Sequence, residues 1–244
     1  MKMMIVGLIM LSVTALSIRA GEAVTYSVGD QTFEGYMEKV SDVAPMVLIF
    51  HDWDGLTDYE VKRAGMLKDL GYSVFCADLY GAGVRPTEVA DRKKCMTILT
   101  SDRAKMRAYM KGALEFAKKQ GLNTKNCVAM GYCFGGTAVL ELARSGEALN
   151  GFATFHGGLG LPEGQDYSKV TGEYLIMHSI TDGMAPFSQL AEGLEKAEVG
   201  AQLICYAGAP HGWTVFDSKR YAEKQDAESW KHFTRFLEDT LGGK

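Results

Sequence analysis

Apolar residues along this chain follow two alternating patterns. Short, nearly unbroken runs of Val, Ile, Leu, Phe and Met stand at 46–50, 72–77, 126–130, 151–155, 173–178 and 201–207. Stretches with helical spacing and one apolar face lie among them, at 59–70, 103–120 and 218–241. A strand that is apolar at every position is buried on both faces, which requires helices above and below a parallel sheet. The expected fold class is therefore α/β, a doubly wound, mostly parallel sheet. Ahead of it, "AVTYSV" and "TFEGYMEKV" flank Gly29-Asp30 and predict an N-terminal β-hairpin. No repeat, low-complexity tract or Pro/Ser-rich linker interrupts the pattern, so residues 21–244 are expected to form one domain.

The first twenty residues stand apart. Lys2 precedes an apolar run from Met3 to Ile18 that ends at the small residue Ala20, which is the pattern of a secretory signal cleaved after Ala20. The run is shorter than the roughly 20 residues a spanning helix needs. An exported protein, periplasmic or secreted and free of the membrane after cleavage, is expected. Without Lys2 and Arg19 the chain keeps 24 basic residues against 30 acidic, with no basic block on which nucleic acid or anionic lipid could dock. A monomer is the expected state. The five cysteines, 76, 95, 127, 133 and 205, include no Cys-x-x-Cys pair and no nearby His at metal-ligand spacing, which argues against a metal centre. An odd count leaves at least one thiol free; pairing among Cys76, Cys95, Cys127 and Cys205 stays open.

The candidate chemistry starts from "MGYCFGG". Gly131, Cys133 and Gly135 lie between a strand and a stretch with helical spacing, "TAVLELARS", the context of a nucleophile elbow. Cys133 would project at a helix N-terminus, where the dipole favours thiolate; the competing reading is a buried structural cysteine. In such folds the order is nucleophile, acid, histidine, each after a strand. "YLIMHSITDG" supplies Asp182 and "LICYAGAPHGW" supplies His211 in that order. His211 would serve as base and Asp182 would orient its ring. Of the other histidines, His178 reads as structural and His232 as a surface residue of the last helix. The oxyanion hole would come from the backbone N–H groups of Phe134 and of Trp53 in "LIFHDWDGL", although that loop also reads as a capped turn.

With Gly-Tyr-Cys-Phe-Gly-Gly at 131–136, the aspartate loop at 182, "PHGW" at 210–213 and "DLYGAG" at 78–83, the chain resembles the dienelactone hydrolase family of α/β-hydrolases. The resemblance runs from about Gly21 to the C-terminus. It implies a hydrolase of carboxylic esters or lactones that passes through a thioester on Cys133 and needs no cofactor. It also implies a carboxylate that restrains the resting thiol, at a position held here by Asp52, one methylene shorter than the family's Glu. Two arginines that bind substrate carboxylate in that family match Ala82 and Val215 here, so dienelactone itself is not the expected substrate. Arg85, in the same loop as Ala82, could compensate, and Tyr80, Tyr132 and Trp213 are further candidate substrate contacts. The Gly-rich loop 157–172, Met184 and Phe187 could also shape the pocket. A non-catalytic ligand-binding protein, and a thioesterase or peptidase, are the alternatives on the same fold.

Overall fold

Gly29, at φ +58°, opens the two-residue turn that pairs β1 (Glu22–Val28) with β2 (Gln31–Glu38) from Glu22↔Met37 to Val28↔Gln31. Glycine at the first central position of such a turn matches the right-handed twist of the flanking strands. The computed structural model describes residues 21–242; the leader expected at 1–20 lies outside them.

Beyond the hairpin come β3 (Pro45–Phe50), α1 (Asp58–Asp69), β4 (Ser73–Ala77), α2 (Val89–Ser101), α3 (Arg103–Lys119), β5 (Asn123–Tyr132) and α4 (Phe134–Arg144). β6 (Gly151–Phe155), β7 (Glu173–Ser179), α5 (Met184–Lys196), β8 (Ala201–Tyr206) and α6 (Glu223–Leu241) complete the chain. Eight strands form one sheet in the order β1-β2-β4-β3-β5-β6-β7-β8. Every pairing from β4 through β8 is parallel, while β2 joins β4 antiparallel at Tyr36↔Cys76 to Glu38↔Val74. The sheet is thus doubly wound and mostly parallel, with the hairpin as its antiparallel edge.

Alternation along β3 shows why the strands read as solid apolar runs. Met46, Leu48 and Phe50 enter the core under α3, α4 and α5, while Val47 and Ile49 enter the core under α1 and α6. After β3 the chain steps outward to β4, then returns across β3 to β5 on its other side. The carboxyl ends of β3 and β5 therefore diverge at a topological switch point, where open α/β sheets form their binding crevice.

The sequence places the last helix at 218–241, whereas α6 begins at Glu223. Residues 207–222 are irregular: Asp217 has φ +59° and the Ala222 N–H donates to the Trp213 carbonyl at 3.0 Å. All five cysteines are free thiols. Among the described residues no helix is long and apolar enough to cross a membrane.

Candidate active site

β5 hands over to α4 at Cys133, whose backbone sits at φ 51°, ψ −111°. A non-glycine residue in that region is strained by about 1–3 kcal/mol and persists only where its surroundings impose it. Glycines impose it here. A Cβ on Gly131 would collide with the Gly135 carbonyl, one on Gly135 with the Phe50 carbonyl, and one on Gly136 would lie 2.7 Å from the Gly157 Cα. The Cys133 N–H donates to the Phe155 carbonyl at 3.0 Å, which fixes the turn against β6.

Two other strand ends meet the thiol. His211 lies in the loop after β8, and its Nε2 is 3.2 Å from Cys133 Sγ. Its Nδ1 is 3.0 Å from Asp182 Oδ1, at the end of the single 3₁₀ turn that follows β7. Ser179 caps that turn by accepting from the Thr181 N–H at 3.1 Å, and its hydroxyl donates to the Ala209 carbonyl. The aspartate turn and the histidine loop are therefore joined two residues before His211.

Burial is the largest influence on Cys133, pushing the thiol up to about 12; the charges of Asp52 and Asp182 act in the same direction. The Phe134 N–H and Arg220 pull the other way. The helix-dipole argument predicts a resting thiolate, but desolvation outweighs it here and the resting group is a neutral thiol.

The loop after β3 forms the facing wall. His51 is wholly buried, and burial holds it below the ordinary histidine range. Neutral, it donates from Nδ1 to the Asp52 carbonyl (2.6 Å) and accepts at Nε2 from the Leu79 N–H (3.0 Å). Because peptides are trans and planar, an Asp52 carbonyl aimed at His51 points the Trp53 N–H away from that ring. Phe134, first in α4, has an N–H without an intrahelical acceptor. Both amides belong to residues that flank the thiol.

Asp52 lines the same pocket, and burial raises its carboxyl well above the usual carboxylate range. The restraining hydrogen bond implied for it is absent. Its Oδ1 accepts from the Asp54 N–H at 3.1 Å, and the sulfur's side-chain partner is His211. With one methylene fewer than Glu, the carboxylate closes its own turn, although its charge still acts on the sulfur.

Four expected substrate contacts lie elsewhere. Tyr132 is fully buried on the α1/α6 side of the sheet, packed on Tyr59 and Phe155. Trp213 is equally buried, and its indole donates to Ser229. Arg85 spends its guanidinium on the carbonyls of Leu56, Val84 and Glu34 and pairs with Asp78. Tyr80 donates to the Trp53 carbonyl at 3.1 Å and stacks on Phe134, so it braces the loop after β3 from behind. Nor does the 157–172 loop line the Cys133 pocket. Leu161, Tyr167 and Ser168 line a separate cavity of about 420 Å³ against α5, which shares no residue with the Cys133 pocket. Met184 is exposed and Phe187 stacks on His178. His178 is buried and bonded to the Gly183 carbonyl, as a structural histidine is, while His232 is half-buried on α6.

The pocket over Cys133 and His211 has a volume of about 180 Å³. Its remaining walls include Met96 from α2, Val215 and Arg220. Arg220 makes no ion pair among the described residues. Sequence reasoning misses it because the helix assigned from Ser218 absorbs it as a surface position. Among the described residues no group of three His, Cys, Asp or Glu side chains converges as metal ligands.

The structure of a dienelactone hydrolase-like promiscuous phosphotriesterase from metagenomic libraries has a TM-score of 0.83 at 26% identity, covering 91% of this chain and 98% of that one. A structure named m3DLH gives 0.83 at 29% identity with the same coverage. Dienelactone hydrolase from Anabaena variabilis shares the fold at TM-score 0.66 and 16% identity, covering 91% and 98%. The model of the dienelactone hydrolase family matches residues 33–241, nearly all of the folded chain, and the protein belongs to that family of α/β-hydrolases.

Proposed function

We propose that this hydrolase cleaves carboxylic esters or lactones through a thioester on Cys133. The observation that carries the reading is the unbroken line Asp182–His211–Cys133, at 3.0 and 3.2 Å, on a strained strand-to-helix turn. Since the resting thiol is neutral, His211 Nε2 takes the Sγ proton as sulfur attacks the carbonyl carbon. The carbonyl oxygen gains the negative charge, with the Trp53 and Phe134 N–H groups as donors. Collapse expels the alkoxide, which leaves with the proton from His211. A water then gives its proton to His211, attacks the thioester, and releases the acid with Cys133 as a thiol. Asp182 holds the ring in the Nδ1–H tautomer throughout.

A pocket of about 180 Å³ favours a short acyl group. Arg220 at its rim supports substrates that carry an anionic group near the ester, a cation supplied from a different place in the chain than Ala82 or Val215. With residues 1–20 read as a cleaved leader, this chemistry takes place outside the cytoplasm.

Single-turnover reaction with p-nitrophenyl acetate tests the nucleophile. A burst of nitrophenol and an acetyl group on the Cys133 peptide by mass spectrometry are expected, both absent in Cys133→Ala. A folded, reduced protein that gives no adduct would overturn the assignment in favour of ligand binding.

A further inference from the structure

Behind His211 lies a second imidazole that the proposed reaction does not use. His156, directly after β6, is wholly buried and has φ +43°, a left-handed conformation that favours glycine, although Gly157 and Gly158 come only afterwards. Its N–H donates to the Met177 carbonyl at 2.9 Å, so the sheet ladder holds the backbone in place. The ring stands edge-on to His211, 5.2 Å between centroids, and edge-on to Trp213 at 4.9 Å.

One nitrogen is engaged and the other is not. Nε2 lies 2.8 Å from Thr214 Oγ1, which in turn lies 2.7 Å from the Tyr59 hydroxyl on α1. Nδ1 is buried without a polar partner among the described residues. Burial first, then the charges of His211, Arg220 and Arg63, hold the ring well below the ordinary histidine range, so it stays neutral. Backbone strain and an unsatisfied nitrogen thus fall on one residue in contact with the candidate base. Local rules are broken in this way where function compensates.

We propose that His156 and Thr214 are positioning residues for His211. The Thr214 hydroxyl, held by Tyr59, pins the His156 ring as the wall that keeps the His211 imidazole in line with Cys133 and Asp182. Thr214 is buried and follows His211 by three residues, after Gly212 at φ +81° and the anchored Trp213. A shift at its hydroxyl is therefore carried to the catalytic ring through a short, fixed segment. The charged or titratable groups around His211 are Asp182, Cys133 and His156, with Asp52 and Arg220 on the pocket wall, and Thr214 does not line the pocket. This inference rests on His211 being the base of the proposed hydrolase.

The test measures kcat and KM for p-nitrophenyl acetate in the wild type, Thr214→Val, Thr214→Ser, Tyr59→Phe and His211→Ala. Thr214→Val is expected to lower kcat by about 10- to 100-fold, up to the loss a catalytic group misplaced by about 1 Å causes, with KM unchanged. Thr214→Ser should restore most of the rate. Tyr59→Phe, which removes only the outer hydroxyl, should lose less in the same direction, and it decides the matter if Thr214→Val fails to fold. Full kcat in the folded Val and Phe variants, or a Ser variant as impaired as Val, would overturn the positioning role. Turnover that survives in His211→Ala would instead overturn the hydrolase assignment, and the positioning role with it.

Discussion

Arg220 brings a guanidinium to the rim of the pocket that holds Cys133, and its charge already reaches the sulfur. A charge-assisted hydrogen bond contributes about 1.5–3 kcal/mol, so a carboxylate next to the scissile ester should gain about 10- to 100-fold in kcat/KM from this side chain. Arg220→Ala is expected to lose that factor on a carboxylate-bearing aryl ester and to leave p-nitrophenyl acetate unchanged. Equal losses on both substrates would show that the arginine only supports its loop. Proximity in sequence misleads at this scale. Tyr132 directly precedes Cys133, but successive strand residues point to opposite faces, and it faces the α1/α6 core. Arg85 follows "DLYGAG" and is consumed by four carbonyls. Cys133, Asp182 and His211 were legible because each follows a strand in a fixed order. Arg220 has no such marker.

Among the elements, the parallel strands were legible because burial on both faces makes their composition apolar throughout. α2 was not, since Leu99 is its only buried residue and no apolar face repeats along it. Yet α2 supplies Met96 to the pocket. α1 shows how a helix start serves the site. Thr57 and Glu60 form a capping box, and Glu60 also accepts from the Asp52 N–H at 3.3 Å, tying the loop after β3 to the helix. Burial raises the Glu60 carboxyl from 4.5 to about 7. The folded protein therefore holds this proton when the unfolded chain has released it, and Glu60's contribution to stability is fully present below pH 4.5 and is lost as pH rises through 7. The shift corresponds to roughly 3 kcal/mol. In urea titrations at pH 5 and pH 8, Glu60→Gln should flatten most of that fall, being less stable than wild type at pH 5 and closer to it, or more stable, at pH 8. Parallel pH dependence in the two proteins would exclude Glu60 as its source.

At the scale of the whole molecule, three distant parts of the chain close on one buried ion pair. Arg63 of α1 pairs with Asp226 of α6, 163 residues later, and also donates to the Thr214 carbonyl at 2.8 Å. Its guanidinium lies over the Phe216 and Trp230 rings at 4.1 and 5.1 Å. The first helix, the last helix and the loop that carries His211 are thereby joined on one side of the sheet. Removing one partner strands a charge in the core, so Asp226→Ala should cost about 3–5 kcal/mol in urea unfolding. A volume-matched apolar pair, Arg63→Met with Asp226→Leu, needs no desolvation and should recover most of that loss. Turnover should not recover with it, because methionine cannot donate to the Thr214 carbonyl and the segment behind His211 is left loose. If the double variant regained both stability and kcat, the ion pair would be a matter of packing alone. If it regained stability only, the same residues that close the fold would also set the position of His211.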